Sequence, residues 1–494
     1  MSAVRTNVIA NLAGQGWSAL LQLLLIPLYL HFLGVEAYAL VTLYIVLLTT
    51  VQIFDFGLAQ TLNRELARAY GIDNCAADMG DTVRTIEITY WVVVIAICCA
   101  LALAAPLFSS HLVNPATLSR DTVQRTITII FTVIALQWPV SLYQSGLMGL
   151  QEQIRANILR IGLATFGAAG SVLVLWLVSA TIVAFFAWQL VAAAVSVAVT
   201  RYVFHSRMPR RRNAARFRPE LLWRISRFAA GVSALTLVSV VLTQGDKWIL
   251  VKRLPLTVFG YYALAWTVAN ALSLLTAPVF AAIFPRFSSL IARGERTALL
   301  ALYHRATQAI TVGIAPIALL LSLCSDDVLL AWTGNGEVAY FAGPLLGVLA
   351  LGTLLNSLAH PPYASALAHG HIGSFLKVNL LSAAVAIPAV WLLTPAFGAM
   401  GAALMWFTVS AVNFVVAVPL AHRMLPREER VRWLLCDIAL PLVAAVAVIT
   451  TARLILPTIP GRIELILALI VALAFAMAAS FAAAPALWTL IRTR

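Results

Sequence analysis

The chain has 494 residues, 62% hydrophobic and only 11% charged, with a formal net charge of +14. A soluble domain carries nearer a quarter charged residues, so an ordinary cytosolic enzyme or binding module is excluded. No polar stretch is long enough to fold alone, and the apolar runs are continuous rather than alternating. Their length, about 20 residues, is what a helix needs to cross the hydrocarbon core. An all-α polytopic membrane protein follows.

Charges and turn residues divide the chain into about 14 transmembrane spans, at 8–31, 37–62, 85–108, 124–148, 153–178, 180–204, 225–251, 258–284, 303–324, 341–365, 373–394, 398–421, 434–456 and 463–490. The start has one Arg and then an apolar run too long for a signal peptide, so it is read as a retained first span. Asn7, Asn11 and Gln15 are spaced by four and give that span a polar face, which must meet protein or water. That face reads either as a cavity wall or as interhelical hydrogen bonding. Asp55 and Arg64 bracket the end of span 2. Asp55 has no cation within a turn of its own helix and reads as a coupling-ion site or as a helix-packing group. Arg64 reads as an interface anchor or a phosphate contact at the inner mouth. Glu87, at the start of span 3, reads as a solvated helix end. Gln144 and Gln151 flank the end of span 4 and could join the polar face of span 1.

Arg155 and Arg160 open span 5, and Arg160 lies deeper than an anchor requires. Spans 5 and 6, and spans 11 and 12, are expected to form tight hairpins. The stretch LTQGDKWILVKRLP puts Asp246 beside Lys247 near the outer end of span 7. Adjacent helical residues point about 100° apart, so Lys247 is expected to snorkel outward and Asp246 to face inward. Asp326 and Asp327 read as a solvated outer loop. His360, Pro361 and Pro362 read as a kink, and His369 and His371 as a loop. The five cysteines (Cys75, Cys98, Cys99, Cys324 and Cys436) have no Cys-x-x-Cys spacing and read as packing residues.

Orientation follows from Lys and Arg. With the N-terminus in the cytoplasm, only six of the 33 lie on outer loops: Arg120, Arg125, Lys252, Arg253, Arg453 and Arg462. The rest, including the run RMPRRRNAARFR at 207–218, fall on or near the inner side, apart from Lys247. Both termini are therefore expected inside. The basic run reads as anchoring at anionic lipid, with no nucleic acid as partner.

The chain also repeats itself. FLGVEAYALVTL (32–43) matches VFGYYALAWTV (258–268), and RANIL (155–159) matches KVNLL (377–381). This predicts an N-lobe at 1–204, a cytoplasmic linker at 205–224, a C-lobe at 225–422, and two further spans in 423–494. Such duplication is typical of secondary transporters, with a substrate site between the halves. No GxxxxGK[ST] loop is present, so no ATP site is encoded in recognisable form. No nucleophile–base or metal-ligand constellation is visible either. The chain reads as a carrier, not an enzyme, with no cofactor beyond a proton or sodium gradient.

Four stretches carry a resemblance: NLAGQGWSALLQLLLIPLYLHFLGVEAYAL, DFGLAQTLNRELAR, GDKWILVKRLPLTVFGYYALAWTVANALSLLTAPVFAAIFPRFSSL and SALAHGHIGSFLKVNLLSAAVAIPAVWLLTPAFGAMGAAL. In their order and spacing they resemble the polysaccharide (Wzx-type) flippases of the multidrug/oligosaccharidyl-lipid/polysaccharide exporter superfamily, over roughly residues 7–422. The resemblance implies two six-helix bundles around a central cavity. It also implies an undecaprenyl-diphosphate-linked oligosaccharide as substrate, moved across the bacterial inner membrane with polymerase or assembly proteins as partners. Similar flippases often carry an acid at the position of Asp246.

A lipid diphosphate needs cations in a wet cavity, because a charge facing lipid costs about 3 kcal/mol or more, and Arg suits phosphate oxygens. Arg155, Arg160 and Lys377 are therefore expected to form the diphosphate cradle, with Arg64, Asn11 and Gln15 as further substrate contacts. Asp55 and Asp246 are the candidates for ion coupling. Rival readings are a drug or metabolite exporter of the same superfamily, a lipid II flippase, and a membrane glycosyltransferase or polymerase. The short outer loops argue against the last.

Overall fold

The computed structural model describes residues 2–69, 76–209, 215–370, 373–456 and 461–492. All regular secondary structure among them is helical. Among the described residues, twelve helical stretches are long and apolar enough to cross a membrane. The first of these, Ala13–Asp55, holds two of the expected spans, and Pro219–Arg253 holds the expected seventh. Leu103 is 78% exposed and Leu454 81% exposed. Leaving so much apolar side chain outside the fold is unfavourable in water and costs nothing in hydrocarbon.

The chain divides into two compact units, 1–260 and 261–494. The first holds α1 (Ser2–Val51), α2 (Leu58–Ala69), α3 (Ala76–His111), α4 (Arg120–Gln137), α5 (Pro139–Gly149), α6 (Gln153–Leu177), α7 (Ile182–Arg207) and α8 (Pro219–Arg253). Helix α8 groups with this unit although the repeat makes it the first span of the second lobe. Helix α9 (Leu256–Ala271) crosses the division.

Local chemistry sets the breaks. Helix α1 bends at Gly34, whose φ of 76° lies in the region only glycine adopts freely. Phe56 and Gly57 are also left-handed, and they end the turn Gln52–Asp55 that follows α1. Pro139 starts α5 where its missing N–H costs nothing. Gly260 lies against Val35, which leaves no room for a side chain.

The second unit holds α10 (Ser273–Ala292), α11 (Arg296–Leu323), α12 (Ser325–Thr333), α13 (Gly336–Leu358), α14 (His360–Ala368), α15 (Gly373–Phe397), α16 (Ala399–Val412) and α17 (Val418–Ala421). It ends with α18 (Arg427–Arg432), α19 (Leu440–Ile455), α20 (Arg462–Ala482) and α21 (Pro485–Arg492). Two π-helical segments, Asn413–Ala417 and Trp433–Ala439, interrupt the α pattern. The final pair of spans packs on α11 through Leu319, Leu320, Ala445, Ile449, Leu469 and Ala476. Arg462, at the start of α20, donates from Nε to the Ala331 carbonyl of α12 at 2.9 Å. The expected kink at His360-Pro361-Pro362 is the α13–α14 junction. His360 Nδ1 sits 2.9 Å from the Asn356 carbonyl there. The expected loop at Asp326-Asp327 is instead the first turn of α12, where carboxylates complement the helix dipole.

Candidate functional site

Helices α1, α4, α5, α6 and α7 enclose a cavity of about 380 Å³ inside the first unit. Its polar lining comes from Ser18 and Gln22 on α1, Gln137 and Gln144 at α4–α5, and Gln189 and Ser196 on α7. Tyr29, Tyr38 and Tyr44 add aromatic faces and hydroxyls. Among the described residues lining it, Arg160 alone is charged.

Several of these groups are held in place. Tyr44 Oη donates to Gln137 Oε1 at 2.7 Å, and Gln189 Nε2 to Ser171 Oγ at 2.9 Å. Tyr29 packs edge-on against Phe185, with ring centroids 5.1 Å apart. Arg160 has its NH1 3.5 Å from Asn157 Oδ1, a weak contact that leaves most of its donors unused. The buried Asn157 donates in turn to Asn11 Oδ1 at 2.5 Å and to the Gln153 carbonyl at 2.8 Å. Such a cavity can hold a hydroxyl-rich ligand by amide and phenol hydrogen bonds and an anion at the guanidinium. The lining residues include no carboxylate, so a cationic ligand would find no counter-charge.

The sequence candidates separate here. Arg160 and Gln144 reach the cavity, and Asn11 supports Arg160 through Asn157. Gln15 is exposed, and Arg155 pairs with Glu152 beside it. Lys377 is exposed on α15 in the second unit. Arg64 pairs with Glu65 at 2.7 Å. Asp55 lies in the turn after α1, and its Oδ2 accepts weakly from the Ala59 N–H at 3.4 Å. Gln151 adopts a left-handed φ of 62° at the α5–α6 turn. The side chain of Asn7, and His371 with its loop, lie outside the described residues.

Two expectations are corrected. Lys247 does not snorkel outward. It is 4% exposed, and its Nζ donates to the Thr243 carbonyl at 2.7 Å and to Asp246 Oδ1 at 3.2 Å. The flexible four-carbon stem folds back over the turn, which the 100° separation of the two backbone positions does not forbid. Beside it, Trp248 Nε1 donates to Thr50 Oγ1 at 3.0 Å, tying α8 to the end of α1.

Glu87 is not a solvated end either. It is 4% exposed and accepts from Tyr143 Oη at 2.7 Å, Arg201 Nε at 3.0 Å and His205 Nε2 at 3.3 Å. Its partners lie more than 50 residues away, beyond any local pattern. Arg218, within the basic run, is not only a lipid anchor, because its Nε contacts buried Asp81 at 2.8 Å. Residues 210–214 of that run lie outside the described residues.

The polar stripe on α1 extends beyond Gln15. Ser18 and Gln22 continue the Asn11–Gln15 stripe, and only this continuation reaches the cavity. Gln189 and Ser196 are seven apart on α7 and so share a helix face, while Gln137 and Gln144 reach the cavity from either side of the α4–α5 break. The α7 spacing was the available signal.

Helices of membrane-crossing length, with a polar chamber sunk among them and one guanidinium as the charge on its described wall, have the make-up of a membrane transporter. Solved structures agree on the fold. A lipid II flippase MurJ in an inward closed conformation superposes with a TM-score of 0.69 at 10% identity, covering 96% of this chain and 98% of that one. A multidrug resistance transporter in an inward-facing conformation gives 0.65 at 13% identity, covering 85% and 96%. The chain belongs to the polysaccharide biosynthesis protein family, whose pattern matches residues 4–291. It is also 22% identical over 415 residues to a putative O-antigen transporter of Shigella flexneri, covering 82% of this chain and 94% of that protein. The resemblance drawn from the motifs is thereby borne out.

Proposed function

We propose that the chain is a flippase carrying an undecaprenyl-diphosphate-linked oligosaccharide from the cytoplasmic to the periplasmic leaflet of a bacterial inner membrane, with both termini in the cytoplasm. The observation that carries this reading is Arg160. It is a half-buried guanidinium with spare donors, set in a chamber of glutamine and tyrosine whose described lining residues include no acid. A diphosphate matches the cation, and sugar hydroxyls match the amides and phenols. The relatives named for O-antigen and lipid II transport support the same substrate class. A cationic drug is disfavoured by the missing carboxylate.

Translocation proceeds by alternating access without ATP. Binding of the anionic headgroup shifts the balance between inward- and outward-open states by its differential affinity for them. Arg155, paired with Glu152, lies outside the chamber lining, and Lys377 is exposed on the second unit, so Arg160 alone of the three serves as the chamber's cation. Arg64 has its charge partly neutralised by Glu65 and acts as an anchor.

The test uses a bacterium carrying this gene, deleted and then complemented with wild type, Arg160→Ala or Arg160→Lys. Lipid-linked oligosaccharide exposed on the periplasmic leaflet is quantified at equal membrane abundance of each protein. Wild type restores exposure, Arg160→Ala does not, and Arg160→Lys restores part of it. Normal exposure in the deletion strain, with no second carrier present, would sink the reading. The oligosaccharide that accumulates in the deletion identifies the glycan and separates this substrate from lipid II.

A further inference from the structure

The second unit has a cavity of its own, about 320 Å³ in volume. Small-molecule sites span about 300–1,000 Å³, so a small ligand fits. The cavity lies where several elements end: the last turn of α10, the first two turns of α11, one face of α14, and the turn His422–Met424 that follows α17. The Lys and Arg distribution assigns this end of the unit to the cytoplasmic side.

Its polar lining is Arg296, Tyr303, Ser365, His369 and His422, and the described lining residues include no carboxylate. Arg296 is exposed and forms no ion pair among the described residues. The acid next to it in the chain, Glu295, lies outside the lining and 3.8 Å from Arg293 NH1. Leu290, Leu299 and Leu425 supply an apolar wall.

A buried pair fixes the deeper part of the lining. Tyr303 is 2% exposed and His422 5% exposed, and Tyr303 Oη lies 2.6 Å from His422 Nε2. Trp433 meets the His422 ring edge-on, with centroids 4.5 Å apart. A neutral imidazole carries one N–H. When Tyr303 donates to Nε2, that hydrogen sits on Nδ1, which has no hydrogen-bond partner among the described residues. An anion beside the ring favours this tautomer, since the other leaves Nδ1 a bare lone pair. His369 Nδ1 lies 2.8 Å from the Ser365 carbonyl, which only accepts, so that nitrogen carries the hydrogen and the ring is held in place.

Donors without a competing acid suit an anion, and the fork of Arg matches phosphate oxygens. The leucine wall suits the hydrocarbon part of an ester. Basic pockets between membrane helices on the cytoplasmic side hold phospholipid headgroups. We propose that this cavity binds the phosphate group of a phosphoester, with the Arg296 guanidinium and the His422 Nδ1–H as donors. This ligand is distinct from whatever the Arg160 chamber carries, so the proposal goes beyond the transport reading and stands without it. The phosphate belongs either to an anionic phospholipid of the inner leaflet or to a soluble ester, and the experiment separates the two. An occupied cavity ties the α10–α11 turn to α14 and to the turn after α17, so binding raises the stability of the unit.

The experiment places the purified full chain in phosphatidylcholine nanodiscs and follows Tm, with no transport assay. One arm replaces a rising share of the lipid with phosphatidylglycerol. The other adds glycerol 3-phosphate to the buffer, against sodium chloride of equal ionic strength. Wild type is stabilised saturably in at least one arm, and the dependence on ligand gives an apparent affinity. Arg296→Gln weakens that affinity about tenfold to a hundredfold, as loss of a hydrogen-bonded charge does. Arg293→Gln, a neighbouring arginine outside the lining, keeps it within about twofold. His369→Gln, on a different element, also weakens it and serves if Arg296→Gln does not fold. Stabilisation by phosphatidylglycerol alone identifies a lipid ligand, and stabilisation by glycerol 3-phosphate a soluble one. The proposal is overturned if neither arm raises Tm, or if Arg293→Gln loses as much affinity as Arg296→Gln, which would mark general surface charge.

Discussion

Glu87 shows how much one carboxylate can hold. It accepts hydrogen bonds from Tyr143, Arg201 and His205 and so joins α3 to α5 and α7. In Glu87→Gln the Arg201 guanidinium loses its counter-charge, and the phenol keeps an amide acceptor. We expect a loss of roughly 1–3 kcal/mol, read as a lowered Tm in detergent, with Glu87→Asp recovering part of it. His422 gives a second prediction at this scale. Burial, and then the charges of Arg430 and His304, press its pKa down to about 4 from 6.5. The folded state therefore prefers the neutral ring that Tyr303 contacts. The stability tied to this ring is complete above about pH 6.5 and declines as pH falls toward 4. His422→Gln removes that acid-side decline.

Among the elements, the close approach of α9 to α1 is the feature most sensitive to one added group. A Cβ on Gly260 would come within 2.9 Å of the Val35 carbonyl oxygen, a backbone atom that cannot step aside. Gly260→Val is expected to cost about 1–3 kcal/mol by overpacking, and Gly260→Ala less, measured as loss of folded protein after mild heating. Gly34, its counterpart in the repeat, has open space around it and a φ of 76°. There the penalty is conformational, and Gly34→Ala strains the bend instead of the packing. Two glycines matched by sequence thus serve different physical ends, which the repeat alone does not tell.

At the scale of the whole chain, the Lys and Arg distribution predicts that loops 64–84, 286–296 and 423–432 face the cytoplasm and that 112–120 and 456–462 face the periplasm. Single cysteines at Arg293→Cys and Arg120→Cys, in a background with the native cysteines replaced, test this in intact cells. An impermeant maleimide should label the second and not the first. The reverse pattern would invert the orientation and, with it, the side from which substrate reaches Arg160.

Composition and run length alone determined that this chain crosses a membrane many times as helices, because hydrocarbon leaves the backbone no other partner than itself. Some helix breaks were legible, as at His360-Pro361-Pro362, whereas those at Phe56-Gly57 and Trp138-Pro139 fell inside expected spans. The transporter class was readable from the repeat and the motif order. What only tertiary structure decided is which polar groups meet. Arg155 and Arg160 look alike as sequence, yet one pairs with Glu152 and the other reaches the cavity. Glu87 finds Arg201 and His304 finds Asp437 across more than 100 residues, through contacts with no local signature. Helical periodicity names the face a side chain occupies, and packing alone fixes what that face touches.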